Sequence, residues 1–198
     1  MNRRWLVLLL PLTLAGCGYN TIQSLDEQAS GAQGQIEVQL QRRADLIPSL
    51  VATVKGMANQ ELAVFGEVAR ARGGLLTAVQ SKDPEQMANA SATFNGALGR
   101  LLAVSEAYPQ LKSDQGFLKL QDELAGTENR VAVSRSDYNG AVQQYNAYIR
   151  KFPAVLTAKM TGAKERKYFT ATSAEAREVP KVDFGTPGAP AAPAPAKP

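Results

Sequence analysis

The sequence is poor in two residue types on which many enzyme active sites depend, histidine and cysteine. It contains no histidine, which excludes Ser–His and Cys–His nucleophile pairs and the Glu-x-x-His ligands of di-iron bundles. Its single cysteine, Cys17, excludes an intramolecular disulfide. No glycine-rich phosphate-binding loop opens a helix, and the adjacent Asp122 and Glu123 would point to different sides of one. We therefore predict no catalytic residue, no metal site and no cofactor, and a protein that is not an enzyme.

A large excess of one charge is also missing. The chain has 22 basic and 18 acidic residues, and loss of Arg3 and Arg4 with an N-terminal signal would leave 20 against 18. The basic residues are scattered among acidic ones and form no stripe with interleaved aromatic residues. A nucleic-acid partner is therefore not expected, in spite of an isoelectric point near 9.2.

The N-terminus carries the most specific motif. Two arginines precede an apolar run over residues 5–14, and about ten residues are too few to cross the roughly 30 Å hydrocarbon core of a bilayer. Residues 14–17 read Leu-Ala-Gly-Cys, which resembles a bacterial lipobox. We therefore predict a signal peptide over residues 1–16 and a lipid anchor on Cys17 that holds the protein to a membrane.

Two further points concern this anchor. The alternative interpretation is a free cysteine behind an ordinary secretory signal. The residue after Cys17 is Gly18 and not aspartate, which in a cell with two membranes favours the outer membrane, with the protein facing the periplasm.

Two long apolar stripes predict two long helices. The more regular one, from Phe117 to Phe152, alternates steps of three and four residues and predicts a helix between a Ser113 cap and Pro153. The other begins near Tyr19 and continues to the predicted helix end at residues 55–56. Pro48 interrupts this first helix and predicts a kink near residue 44, or a new start with Asp45 as its cap.

Two shorter helices are predicted between the long ones, over residues 59–79 and from an Asp83 cap to Tyr108. The fold class expected is all-α, an elongated antiparallel four-helix bundle with two long and two short helices over residues 17–153. If Gly56 does not reverse the chain, the first two helices would instead form one continuous helix in a three-helix coil. An irregular segment over residues 154–179 and a disordered Pro/Ala-rich tail over residues 180–198 complete the chain.

Charged residues interrupt both long stripes at positions that an antiparallel arrangement would bring together. This polar layer comprises Arg42, Arg43 and Asp45 on the first helix and Glu123, Glu128 and Arg130 on the last. The first interpretation is an ion-pair layer that fixes helix register, and the second is a site for a partner or ligand.

Aromatic residues beside polar ones suggest two more features. Asn139 and Asn146 each follow a tyrosine, seven residues apart, so both pairs share one helix face. Their amides would satisfy neighbouring backbone or hydroxyl groups, or the rings would line a peptide groove. The basic and aromatic residues between Lys159 and Phe169 predict a solvated return segment or, alternatively, a contact with anionic lipid headgroups.

Short motifs in order along the chain resemble the LemA family. They read QLQRRADLIPSLV from residue 39, VKG from 54, EAYP from 106, LQ and EL from 120, TENR from 127, YN at 138 and 145, and FP at 152. The resemblance covers about residues 19–185 and implies a four-helix bundle at the bacterial envelope, in a family without an assigned catalytic activity. The chain departs from the usual pattern in having a lipobox instead of a transmembrane helix, and Ala44 where an aromatic residue is common.

These observations lead to two hypotheses about function. The first is a lipid-anchored scaffold or adaptor that recruits another envelope protein. The second is a ligand carrier or sensor with a site among the helices, which needs a pocket of some hundreds of cubic ångströms.

Overall fold

The computed structural model describes residues 3–58 and 61–171, with side chains from residue 18 onward except that of Met57. These residues contain six helices and no strand, which confirms the predicted all-α class. The helices are α1 (Arg3–Met57), α2 (Leu62–Ser81), α3 (Pro84–Ala107), α4 (Pro109–Ser113), α5 (Gln115–Ile149) and α6 (Ala154–Thr161). The predicted tail over residues 180–198 lies outside the described residues, and removal of residues 1–16 stays a prediction.

Helix α1 continues through Pro48, so the predicted restart at Asp45 was wrong. Proline has no N–H to donate to the carbonyl four residues earlier, and that carbonyl belongs to Ala44. The structure supplies a donor from another helix, because Arg72 Nε lies 2.8 Å from the Ala44 oxygen. A side chain of α2 thus replaces the hydrogen bond that Pro48 removes.

The chain reverses after α1. Arg72 and Ala44 lie equally far along the chain from residue 58, so their contact makes α1 and α2 an antiparallel hairpin with its turn close to that residue. A single helix continuing from α1 into α2 would place these two residues far apart. The alternative of a three-helix coil is therefore excluded.

The cap predicted for α3 is confirmed. Pro84 takes the first helical position, and Asp83 Oδ1 accepts hydrogen bonds from the backbone amides of Glu85 (2.9 Å) and Gln86 (3.2 Å). The cap of α5 was placed one residue early: Asp114, and not Ser113, accepts from the Phe117 amide at 2.7 Å. The short helix α4 before it was not predicted.

The helix directions alternate along the chain. Helix α5 runs antiparallel to α1, because Ile22 packs with Tyr145 and Ile149 while Arg43 reaches Glu128 further along. Helix α3 runs parallel to α1: Gln33 donates to the Lys82 carbonyl just before α3, and Arg43 reaches Asn95 within it. The up, down, up, down order agrees with the expected antiparallel bundle, in which α2 and α3 cover only the part of α1 beyond about residue 33.

The part of α1 from Gly18 to about residue 33 is covered by the end of the described chain. Residues 154–179 were predicted to be irregular, but they begin with α6, which packs its small residues on α1 and shares a core cluster with Ile22 and Tyr145. Residues 162–171, the return segment, then run back along α5 without helix or strand. They place Phe169 in the main core with 1% of its surface exposed. The packed bundle therefore continues beyond the predicted boundary at residue 153.

Candidate functional site

Arg43 is the centre of the polar layer. Its side chain leaves α1 at a position between the buried Leu40 and Ile47, so only 5% of the residue is exposed. Nη1 donates to Asn95 Oδ1 at 2.5 Å and forms an ion pair with Glu128, and the guanidinium lies 5.3 Å from the centre of the Phe94 ring. Helices α1, α3 and α5 thus meet around one buried cation.

The electrostatics of this cluster combine opposing effects. Burial lowers the pKa of Arg43, and the attraction of Glu128 raises it in part. Arginine remains protonated in proteins, so the buried group is a cation. Two buried atoms, Arg43 Nε and Glu128 Oε2, have no aligned hydrogen-bond partner, although the two side chains are in ion-pair contact. Arg43 is therefore held by one hydrogen bond to Asn95, by charge attraction to Glu128 and by packing against Phe94, and not by a complete hydrogen-bond network.

The other predicted residues surround this centre unevenly. Arg42 pairs with Glu123 at 3.3 Å on the surface, which makes a second, exposed link between α1 and α5. Asp45 accepts from Gln41 of its own helix at 3.0 Å and lies 3.8 Å from Arg72 on α2. Arg130 is exposed and, within the described chain, lies in no ion pair. The structure therefore brings Arg42, Arg43, Glu123 and Glu128 together and leaves Arg130 out.

Three residues of this cluster were missed in the sequence. Phe94 and Asn95 come from α3 and Arg72 from α2, helices from which no partner for Arg43 or Asp45 was considered. A signal for Arg72 was present, because a mid-helix proline leaves a carbonyl that needs a donor. Asn95 gave a weaker signal, a polar residue directly after an apolar one in the α3 stripe.

A groove beside the polar layer runs between α1 and α2. Its cavity measures about 510 Å³ and is open to solvent. We call it the α1–α2 groove; it is lined by Glu37, Val38, Gln41, Arg42, Asp45, Leu46 and Val79. Apolar side chains and both signs of charge meet there, and Val38 leaves 58% of its surface exposed. This combination of apolar and charged side chains is typical of a surface that binds a protein or an amphiphilic molecule.

Asn139 and Asn146 hold the return segment. Each uses both ends of its amide: Asn146 accepts from the Arg166 amide and donates to its carbonyl, both at 2.9 Å. Asn139 does the same with Phe169, at 2.8 and 3.3 Å. Seven helical residues rise about 10.5 Å and three extended residues span about 10 Å, so the two spacings match. The predicted role of these amides in satisfying backbone groups is therefore what the structure has.

Ion pairs fasten the same segment on either side. Arg166 Nε lies 2.7 Å from Asp26 Oδ1 on α1, and Lys167 Nζ lies 2.7 Å from Asp83 Oδ2 before α3. The hydrogen bond from Lys167 lowers the pKa of Asp83, and the same bond raises the pKa of Lys167. Because these cations are engaged and Phe169 is buried, the predicted lipid-contacting cluster between residues 159 and 169 is not available as a unit.

Metal sites and membrane-spanning helices are both missing from the described residues. In this part of the chain, no three His, Cys, Asp or Glu side chains come close enough to hold a metal ion. None of the helices that the structure describes has both the length and the hydropathy to cross a membrane.

These features define an elongated helical protein in which, among the described residues, charged side chains link neighbouring helices. The sequence profile of the LemA family matches residues 32–184, and the chain belongs to that family. The resemblance found in the sequence is thereby confirmed.

The chain is also similar to two magnetosome proteins. The magnetosome protein MamQ 2 of Paramagnetospirillum magneticum is 30% identical over an alignment of 174 residues, and the match covers 76% of this chain and 64% of that protein. Magnetosome protein MamQ of Magnetospirillum gryphiswaldense is 28% identical with the same coverage. The chain thus spans somewhat less than two thirds of the length of these relatives.

Proposed function

We propose that this chain is a non-enzymatic protein of the bacterial envelope, held to a membrane by lipid on Cys17, that recruits another envelope protein through the α1–α2 groove. The observation that carries this proposal is the groove itself. It is open, partly apolar and about 510 Å³ in volume, and it has the exposed Val38 and charges of both signs at its edges. The matched relatives are named as magnetosome proteins and not as enzymes, which supports a non-enzymatic role.

The anchor and the groove lie at suitable positions along one helix. Cys17 is followed directly by Gly18, which packs on α6 at one end of the bundle. Val38 lies twenty residues further along α1, a rise of about 30 Å. In this proposal the groove therefore stands clear of the lipid headgroups, on the periplasmic side of the outer membrane.

The charges at the groove support selection of a protein partner. Glu37 and Asp45 present negative charge and Arg42 positive charge around Val38 and Leu46. Charges at the edge of an interface select partners and speed their encounter, while the buried apolar centre supplies most of the affinity. A partner with an exposed apolar side chain between opposite charges would fit this surface.

Affinity capture from detergent-solubilised membranes tests the proposal. We expect Val38→Glu and the charge exchange Arg42→Glu with Asp45→Arg each to reduce capture of the partner about tenfold or more. The control exchanges Arg100 on α3 with Glu67 on α2, an ion pair of 2.9 Å between a mostly exposed and a partly exposed side chain, and should leave capture unchanged. Equal capture by all variants would contradict the assignment of the groove.

A ligand carrier is the second candidate. The volume of about 510 Å³ falls within the range of roughly 300–1,000 Å³ that is typical of small-molecule sites. A thermal-shift screen with amphiphilic compounds separates the two candidates. A compound that raises the melting temperature of the wild type, and not that of Val38→Trp, would favour the carrier over the adaptor.

A further inference from the structure

Helix α6 has an inverted distribution of side chains. Small residues, Ala154, Thr157 and Ala158, face the bundle and are buried, with Gly18 of α1 directly against Ala154 and Thr157. Large apolar residues face away from it. Leu156 is 55% and Met160 82% exposed. The outer face of α6 is therefore more hydrophobic than the face that packs.

A third large apolar residue is exposed just before α6. Phe152, four residues before Leu156, is 78% exposed. Leu156 and Met160 lie one helical turn apart on the same side of α6. Single exposed apolar residues are ordinary on soluble proteins, whereas a contiguous group of large ones marks an interaction site. We call Phe152, Leu156 and Met160 the α6 apolar face.

The charges around the α6 apolar face are mostly positive. Residues 150–164 contain Arg150, Lys151, Lys159 and Lys164 and no acidic residue. Arg150 pairs with Glu165 at 3.5 Å, but none of the three lysines is in an ion pair within the described chain. A surface of protruding apolar side chains with unpaired lysines at its edges complements an anionic membrane, whose headgroups attract the lysines and whose acyl chains accept the apolar groups.

The position of α6 agrees with this occupant. Gly18, which packs against α6, directly follows Cys17, so the α6 apolar face lies at the end of the bundle nearest to the predicted anchor. Two copies of the chain that met through this face would bring their flanking lysines together, which is unfavourable. We infer that the α6 apolar face and its flanking lysines dock on the surface of an anionic lipid membrane.

This contact would fix how the bundle stands on the membrane. An anchor on one residue lets the protein rotate and tilt freely, whereas a second contact through α6 restricts both. The α1–α2 groove would then face its partner in a defined orientation. The inference rests on the membrane location proposed above but does not require that the anchor be a lipid on Cys17.

Tryptophan quenching in vesicles tests the docking. Trp5 is the only tryptophan, so the full-length chain with Trp5→Phe accepts a single reporter at position 160 or at the control position 133. Val133 is also apolar and is 61% exposed, but it lies on α5. The protein is reconstituted in brominated phosphatidylcholine vesicles with or without about 30% phosphatidylglycerol.

We expect the bromines to quench Met160→Trp at least about threefold more than Val133→Trp in vesicles with phosphatidylglycerol. Quenching at 160 should fall by about half when phosphatidylglycerol is omitted, or when Lys151 and Lys159 are both replaced by Gln. Equal quenching at positions 160 and 133 would overturn the inference. If quenching at position 160 stays the same without phosphatidylglycerol and without the two lysines, the electrostatic part of the inference is overturned.

Two further outcomes distinguish membrane docking from self-association and from the lipid anchor. A blue shift at 160 that grows with protein concentration without bromine quenching would identify a second copy as the occupant and overturn the inference. The Cys17→Ser variant, tested with a fatty-acid label, separates the docking from the proposed anchor. If the label is absent from the wild type as well but position 160 is still quenched in phosphatidylglycerol vesicles, the docking stands and the lipid anchor fails.

Discussion

Replacement of Arg43 by Met is the most informative single change in the polar layer. Methionine fills a similar volume in the core but removes the cation that Glu128 and Asn95 contact. The predicted outcome is a lower free energy of unfolding, with the fold retained. The size of this decrease in the free energy of unfolding depends on the surroundings of Arg43, Asn95 and Glu128.

The largest contribution is the hydrogen bond to Asn95, because bonds that involve a charged group contribute about 1.5–3 kcal/mol. The cost for Glu128 is smaller than the roughly 3–5 kcal/mol of a fully buried pair, since its side chain is 39% exposed and can turn to water. Relief from burying the guanidinium offsets part of both. We therefore expect Arg43→Met to lower the free energy of unfolding by about 2–3 kcal/mol.

A double-mutant cycle isolates the Arg43–Glu128 interaction. Both residues are replaced by Met, singly and together, and each variant is unfolded in urea. We expect a coupling energy of about 1–2 kcal/mol. The neighbouring pair, Arg42 and Glu123, joins the same helices on the surface with side-chain exposures of 54% and 37%, so it is a matched control. Its coupling should not exceed about 0.5 kcal/mol.

Coupling in the Arg43 cycle no larger than in the Arg42 cycle would refute the reasoning from burial. The same variants also separate register from recruitment. If the layer only fixes register, a double variant that regains stability should regain capture of the partner as well. If Arg43 belongs to the partner site, the stable double variant should still fail to capture it.

Three other changes test the contacts of the fold. Asn146→Leu removes both bonds to the backbone of residue 166 and should cost about 1–2 kcal/mol, with faster amide exchange in the return segment. Arg72→Met should cost about 1–2 kcal/mol in urea unfolding, and less when Pro48→Ala restores the missing donor. The pKa of Asp83 is lowered by Lys167, so this contribution is present above about pH 4 and is lost as pH falls through the folded pKa. Asp83→Asn, which keeps a capping side chain, should reduce the loss of stability measured between pH 5 and pH 2.

Each of these predictions has a control and an outcome that contradicts it. Asn129→Leu, an exposed change on α5, should leave amide exchange in the return segment unchanged. Equal effects of Asn129→Leu and Asn146→Leu would argue against the contact of Asn146 with the return segment. An equal loss for Arg72→Met with and without Pro48→Ala would mean that the Ala44 carbonyl is not the reason for the contact. If the loss of stability between pH 5 and pH 2 is as large in Asp83→Asn as in the wild type, the Asp83–Lys167 pair does not contribute to that loss.

Local sequence patterns were sufficient for most of the helical core. The stripe from Phe117 to Phe152 predicts α5 because steps of three and four residues keep apolar side chains on one helix face. Asp83 with a following proline predicts the start of α3, because both residues suit the first turn of a helix. The meeting of Arg43 and Glu128 follows from the same reasoning, since charges that interrupt two facing stripes come together when the helices are antiparallel.

The packing of α6 and the return segment on residues 18–33 of α1 could not be predicted in the same way. The return segment has no hydrophobic periodicity. Asn139 and Asn146 bind its backbone, and backbone groups are the same in every sequence, so the sequence does not indicate which segment they bind. The contact of Arg72 with Ala44 joins two helices whose relative rotation no local pattern sets. The outward apolar residues of α6 resemble core residues when only hydrophobicity is considered, so their exposure becomes visible only with the packing of Ala154 and Thr157 known.

In-cell photo-crosslinking from the α1–α2 groove tests the central claim, recruitment of an envelope protein, most directly. A photoreactive amino acid is placed at Val38, and the control carries it at Leu118, which is 43% exposed on α5 outside the groove. We predict one dominant crosslinked envelope protein from position 38, absent from position 118 and lost when Arg42 and Asp45 exchange charges. The same adducts from both positions, or none from position 38 in cells where the protein is correctly located, would contradict the account.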